Sequence, residues 1–472
     1  AKPPVGNLRW EPPQKAEPWI GIRKTQQYGN IAMQYKFADW VQIDETRLSE
    51  DCLYLNVWKP TEVRNEKLPV LVHIHGGGFA VGEGSEIRME GSSMAKEGII
   101  VVSLNYRLNI FGFFAHPELT KTSSNGASGN YGLMDQQFAL QWVKNNIEKF
   151  GGDPDKITIT GESAGSMSVL ALMSSPLSKD MLAGAIGSSG GVISLASLKE
   201  AEEKGQLAAQ KSGFTSLEQL REASTAEIMD LYKTVEPMAF IPIHDQYVLT
   251  KSNTTDLYKA GEQAQIPLII GWNSEELPPE AFLRGPNYTK DHFLKVTEEN
   301  YPEHHKEILE LFPHETKEEI HRSAADLAAM SFVVSGTWKW FDLHRKYANQ
   351  PVYRYLFSKI HPPLASVDME TYISPAGARH AEEVHYSWGN LYLLDAYKFS
   401  KDDYKVSAAM QQYFVNFIKT GNPNDNQLPV WPAADSDTES PLILNFDTKL
   451  ELIPASLDYR FPILYGKIYR VF

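Results

Sequence analysis

Five short runs of β-branched and aromatic residues limit what this chain can fold into. They are LPVLVHI (68–74), IIVVSLNY (99–106), KITIT (156–160), IPLIIG (266–271) and VYRYLF (352–357). Gly, Pro, Asn or Asp lie close to most of their ends, as strand boundaries require. Between the second and third runs lies GLMDQQFALQWVKNNIEKF. Its Leu140, Val143, Ile147 and Phe150 fall at steps of 3, 4 and 3, one face of a helix that Gly151 and Gly152 should stop. The segments 195–260 and 289–347 read as mostly helical, as insertions above a sheet. Strands separated by helices predict an α/β chain whose sheet is mainly parallel and covered on both faces. No repeat, low-complexity tract or clear linker breaks the pattern, so residues 1–472 read as one large domain.

Composition excludes several function classes. The chain has 472 residues, 42% hydrophobic and 22% charged, enough to bury a large core. A formal charge of −14 argues against a nucleic-acid partner, because phosphate binding needs clustered Lys and Arg. The mixed-sign stretches KEAEEK and HKEILELFPHETKEEIH read as solvated helix faces. The most apolar region, GIIVVSLNYRLNIFGFFAH, is broken by Asn105, Arg107 and Asn109, so no membrane span is expected. Cys52 is the single cysteine and reads as a small buried hydrophobe. The opening AKPPVGNLRW shows no signal-peptide pattern. The expectation is a soluble protein, cytoplasmic or exported, with any targeting signal outside this sequence.

Candidate chemistry centres on ITITGESAGSMSV, residues 157–169. A bare Gly-x-Ser-x-Gly means little, since it occurs by chance in roughly one in seven chains of this length. Here it follows a strand-like run, and AGSMSVLALMSS continues as a helix until Pro176. A nucleophile elbow needs that order: strand, sharp strained turn, helix, with small residues where backbones approach. Ser163 is therefore the candidate nucleophile. Acyl transfer also needs fixed donors for the developing oxyanion. The strand at 68–74 runs into HGGGFAVGEG, where side-chain-free backbone can aim successive amides at one point. Gly77, Gly78 and Ala164 are the candidate donors, Ala164 by its place at the helix N-terminus. His73 and His75 form an H-x-H pair, but a metal site needs further ligands at matched spacing, and none is evident.

The base should be a histidine beyond the elbow with an acid between the two. IPLIIGWNSEEL puts Glu275 and Glu276 just past the end of a strand, where α/β sheets place their chemistry. GARHAEEVHYSWGN offers His380 and His385. The residues alone leave both choices open.

Taken together these stretches resemble the type-B carboxylesterase family, which includes cholinesterases and bacterial para-nitrobenzyl esterases. The resemblance runs through SEDCLYLNVW, LPVLVHIHGGGF, VVSLNYRLNIFGFF, NYGLMDQQFALQWVKNNIEKFGGDP, GESAG and FVNFIKTGNP, nearly the whole chain. It is greatest in look to bacterial members. It implies an α/β-hydrolase fold, a gorge over the active site formed by helical insertions, and hydrolysis of small carboxylic esters with no cofactor and no metal. It also implies a Ser163–Glu276–His380 triad, and so chooses between the glutamates and between the histidines. Phe79 and Trp388, by their neighbours, are the implied substrate-lining aromatics.

Several positions depart from the family pattern. Leu277 stands where the family has glycine after its Asp-Glu, which keeps Glu275 a minor candidate. Ser166 replaces a glycine. Ala32 stands where many relatives have the disulfide partner of Cys52, implying a less constrained loop between them. The opening hairpin of relatives is absent from this sequence. Trp40 is not expected to act as the choline-stacking tryptophan of cholinesterases. Two rival functions stand beside ester hydrolysis: cleavage of a thioester, amide or polymer ester, and a non-catalytic binding role on the same scaffold.

Overall fold

Each of the five runs overlaps a strand, and most of the β-branched and aromatic side chains of those strands are buried. In the computed structural model the described residues are 1–36, 43–61, 66–192, 194–251, 253–370, 372, 374–438, 441–456, 458, 460–465 and 467. They fall into two compact units, Ala1–Ala185 with Ser194–Ala264, and Ile186–Ile193 with Gln265–Val471.

The first unit contains β1 Leu55–Trp58, β2 Leu68–Ile74, β3 Ile100–Leu104 and β4 Gly152–Glu162, in the spatial order β1-β3-β2-β4. β2 is parallel to β3 and β4, and β1 is an antiparallel edge. Val72 lies opposite Val102 on one side and Ile159 on the other, and all three are fully buried. β5 Gly184–Ser188 straddles the boundary between the units.

Two helices matter to the first unit: α1 Tyr131–Asn146 and α2 Ala164–Ser174. α1 buries Leu140 and Val143 as its periodicity predicts. It gives way to a 3₁₀ turn, Ile147–Phe150, before Gly151 closes it at φ 91°. The tighter turn rotates Phe150 off the buried face, leaving it 36% exposed against Trp142. Gly152 does not stop the helix but starts β4. Between 195 and 260 the helical expectation holds only in part. α3 Leu198–Lys211 and three shorter helices form, but the described residues of 234–253 are irregular. Pro237 and Pro242 remove backbone donors there.

The second unit holds β6 Leu268–Asn273, β7 Val352–Phe357, β8 Leu442–Phe446 and β9 Glu451–Pro454 in sequential order. β6, β7 and β8 are parallel and β9 is antiparallel. α4 Lys317–Ala329 and α5 Ser335–Tyr347 are joined by a π-helical turn, Met330–Val334. α6 Lys401–Thr420 starts with a capping box of Ser400 and Asp403 and ends at Gly421 with φ 75°.

Cys52 and Ala32 are both buried and line one small cavity with Arg9, Glu50 and Arg107. Burial pushes the Cys52 thiol pKa up, so it stays protonated. The loop between them is tied at its base without a disulfide. Ile31 N–H donates to Arg47 O at 2.9 Å, and Ser49 N–H donates to Ile31 O at 3.0 Å. Trp40 lies outside the described residues. Among the described residues no helix is long and apolar enough to cross a membrane.

Candidate active site

The first unit presents Ser163 at the junction of β4 and α2, with φ 56° and ψ −124°. Side-chain-bearing residues avoid that conformation at a cost of about 1–3 kcal/mol, so the surroundings must impose it. The two glycines of the motif show how. A Cβ on Gly161 would lie 2.3 Å from the Gly165 carbonyl, and one on Gly165 would lie 2.2 Å from Ile74 O. Only glycine lets α2 start this close to the ends of β4 and β2. Ala164 is the first helical residue and is buried, as is Ser166.

The loop after β2 packs against the same corner. A Cβ on Gly76 would meet Ser163 Cβ at 3.2 Å. Gly77 and Gly78 both have positive φ, 102° and 63°. Gly77 O accepts from the amides of Ala80 and Val81, each at 3.0 Å, so the run is an ordered turn. Next to it His75 stacks on Tyr106 at 4.4 Å, and the Tyr106 hydroxyl donates to His75 O. Burial lowers the pKa of His73 to about 3 and of His75 to about 4. Among the described residues, no group of three or more His, Cys, Asp or Glu side chains could hold a metal. Phe79 is 2% exposed at φ 59° and packs edge-on to Phe113 at 5.3 Å.

The second unit brings Glu276 and His380 together. His380 Nδ1 lies 2.6 Å from Glu276 Oε2. A carboxylate only accepts, so Nδ1 carries the proton, and in the neutral ring the lone pair is then on Nε2. Glu276 Oε1 accepts from Ser189 Oγ at 2.6 Å and from Asn273 N–H at 2.7 Å. The glutamate is 1% exposed, and these three donors fix its plane.

Glu275 and His385, the other candidates, have different neighbours. Glu275 pairs with Arg379 at 3.1 Å, and burial raises its pKa. His385 is buried in an aromatic cluster with His361, Tyr386 and Phe399. The loop carrying His380 is laced to the end of β6. Glu275 N–H donates to Ala378 O, and His380 N–H donates to Glu276 O. Asn273 Nδ2 donates to both Arg379 O and Glu383 Oε2 at 2.6 Å. Ala381 follows the histidine at φ 65°, and Ser189 is held at φ 49°, further strained residues beside candidate chemistry. Glu382 accepts from Arg379 N–H, and burial pushes its carboxyl up to about 7. Trp388 is buried, and its carbonyl accepts from Gln411 Nε2 at 3.0 Å.

Sequence reasoning missed Ser189, Asn273, Glu383 and Phe332. Ser189 and Asn273 carried a signal, since each sits at the C-terminal end of a strand. Phe332, whose ring meets His380 at 4.8 Å, carried none, because an aromatic within a helical stretch reads as core.

The model of the family described as "Carboxylesterase family" matches residues 1–461. The chain belongs to the carboxylesterase family. It is 33% identical to fumonisin B1 esterase of Sphingopyxis macrogoltabida over 92% of this chain and 79% of that protein. It is 33% identical to para-nitrobenzyl esterase of Bacillus subtilis (strain 168), covering 97% of this chain and 92% of that one. A solved structure of a PNB esterase covers all of this chain and 94% of its own, with a TM-score of 0.81 and 28% identity. This carboxylesterase has the α/β-hydrolase fold and is a carboxylic ester hydrolase of the serine class typical of its family.

Proposed function

We propose that Ser163, His380 and Glu276 are the nucleophile, base and orienting acid, and that small, uncharged carboxylic esters are the substrates. His380 Nε2 takes the Ser163 proton as the hydroxyl attacks the ester carbonyl. The amides of Gly77, Gly78 and Ala164 receive the oxyanion. The same imidazole protonates the departing alcohol, then activates water to release the acid from the acyl-enzyme. Glu276 holds the imidazole tautomer and stabilises its cationic form. Phe79 and Trp388 are assigned to the substrate-lining wall by their neighbours in the chain. The whole chain acts as one catalytic domain on this reading.

The observation that carries the reading is Ser163 held at φ 56° and ψ −124° between glycines that admit no side chain. Hydrolysis of short p-nitrophenyl esters by the parent and by Ser163→Ala tests it, with mass analysis after an organophosphate probe. Turnover should fall by about 10⁶ in the variant, and the parent should carry one phosphonyl adduct on Ser163. Unchanged turnover, or an adduct elsewhere, would reject Ser163. Activity should also fall on acidification, because a protonated imidazole is no base. Matched ester, thioester and amide substrates rank the bond classes, and failure of every activated ester would favour a binding role.

A further inference from the structure

We propose that Phe332 is a positioning residue for the catalytic imidazole, set against His380 by the π-helical turn Met330–Val334. This rests on the reading of His380 as the general base. The helix from Lys317 to Tyr347 does not break at the turn. Ala329, Met330, Val334 and Ser335 all keep helical angles, from φ −62° and ψ −43° at Ala329 to φ −66° and ψ −43° at Val334. A π turn holds one more residue than an α turn, so it changes by about 100° the direction in which following side chains leave the axis. The sequence MSFVV contains no proline or glycine that would force such a turn. What holds it is packing: Met330, Val333 and Val334 are buried, while Phe332 is only half-buried.

The ring of Phe332 meets the ring of His380 at 4.8 Å with 68° between planes, an edge-to-face contact. Glu276 Oε2 holds the imidazole through Nδ1 at 2.6 Å. The imidazole is therefore restrained twice. The carboxylate sets its in-plane direction, and the phenyl ring limits rotation about its side-chain bonds. A base moved by about 1 Å loses up to about a hundred-fold in rate, so a contact of this kind affects the chemical step more than substrate affinity.

The test compares Phe332→Leu, Phe332→Met and Phe332→Tyr with the parent on the shortest p-nitrophenyl ester, with His380→Ala as control. Phe332→Leu and Phe332→Met should lower kcat about ten-fold with KM within about two-fold, and Phe332→Tyr should retain most of the parent rate. Without substrate, the low-field proton resonance of the Nδ1–H···Oε2 bond should broaden or vanish in the two ring-less variants and persist in Phe332→Tyr. Either ring-less variant, if folded, decides the matter. A parent-like kcat and resonance overturns the proposal, as does a change confined to KM or to acyl-length preference. Full activity in His380→Ala would instead overturn the triad reading. An inactive His380→Ala beside an unaffected Phe332→Leu would overturn only the role of Phe332.

Discussion

Two adjacent glutamates, Glu275 and Glu276, show how far apart neighbouring residues can be in chemical role. Glu276 faces the His380 imidazole and two further donors, while Glu275 faces the Arg379 guanidinium. Glu276→Gln should cost up to about 10⁴ in kcat, since an amide can turn its NH₂ toward Nδ1 and favour the wrong tautomer. Glu275→Gln should keep kcat within about ten-fold, because its carboxylate serves the loop and not the base. Steady-state kinetics of the two variants on one ester checks both; equal losses would place the acid wrongly. The sequence alone could not separate this pair. Both sit just past β6, and which side chain turns toward the histidine depends on the backbone path after Asn273. Ser163 was legible because its constraint is local: strand, glycine, serine, glycine, helix.

At the scale of elements, the loop 377–383 and the end of β6 form one hydrogen-bonded unit. Its weak point is Glu382. Burial is the main cause that pushes its carboxyl from 4.5 to about 7, with the charges of Glu275 and Glu276 adding to it and the Arg379 contacts opposing. The folded state thus binds this proton more tightly than the unfolded chain does. The favourable contribution is complete below the ordinary carboxylate range and is lost as pH rises through about 7. Glu382→Gln should therefore be more stable than the parent at pH 8, by about 1–3 kcal/mol, with the difference shrinking toward pH 5. Urea denaturation of both proteins at the two pH values measures it, and a constant difference would contradict the linkage. At this scale β2, β3, β4, β6 and β7 were legible in the sequence from their β-branched and aromatic composition, while the short β1, β5, β8 and β9 were not. The 3₁₀ end of α1 and the π turn before α5 were not. Both preserve helical composition while changing the angle per residue, so Phe150 and Phe332 point where a regular 3.6-residue repeat would not send them.

For the whole molecule the strongest physical quantity is the net charge of −14. An ester bearing a free carboxylate is repelled on approach, and salt screens that field. Between about 10 mM and 300 mM salt, kcat/KM for an anionic ester should rise several-fold while that of its neutral isostere stays level. A parallel response of the two substrates would remove net charge as a selector. The sequence by itself determined the class of fold, the strained turn that carries Ser163 and the glycine loop after β2. Each of these follows from contiguous residues whose composition and spacing dictate local backbone geometry. The tertiary structure decided what contiguous spacing does not reach: that Glu276 and not Glu275 meets His380, that Ser189 donates to that glutamate, and that Phe332 packs on the imidazole. The longest of those contacts joins Glu276 and His380, 104 positions apart, and the packing of separate elements alone sets its distance and direction.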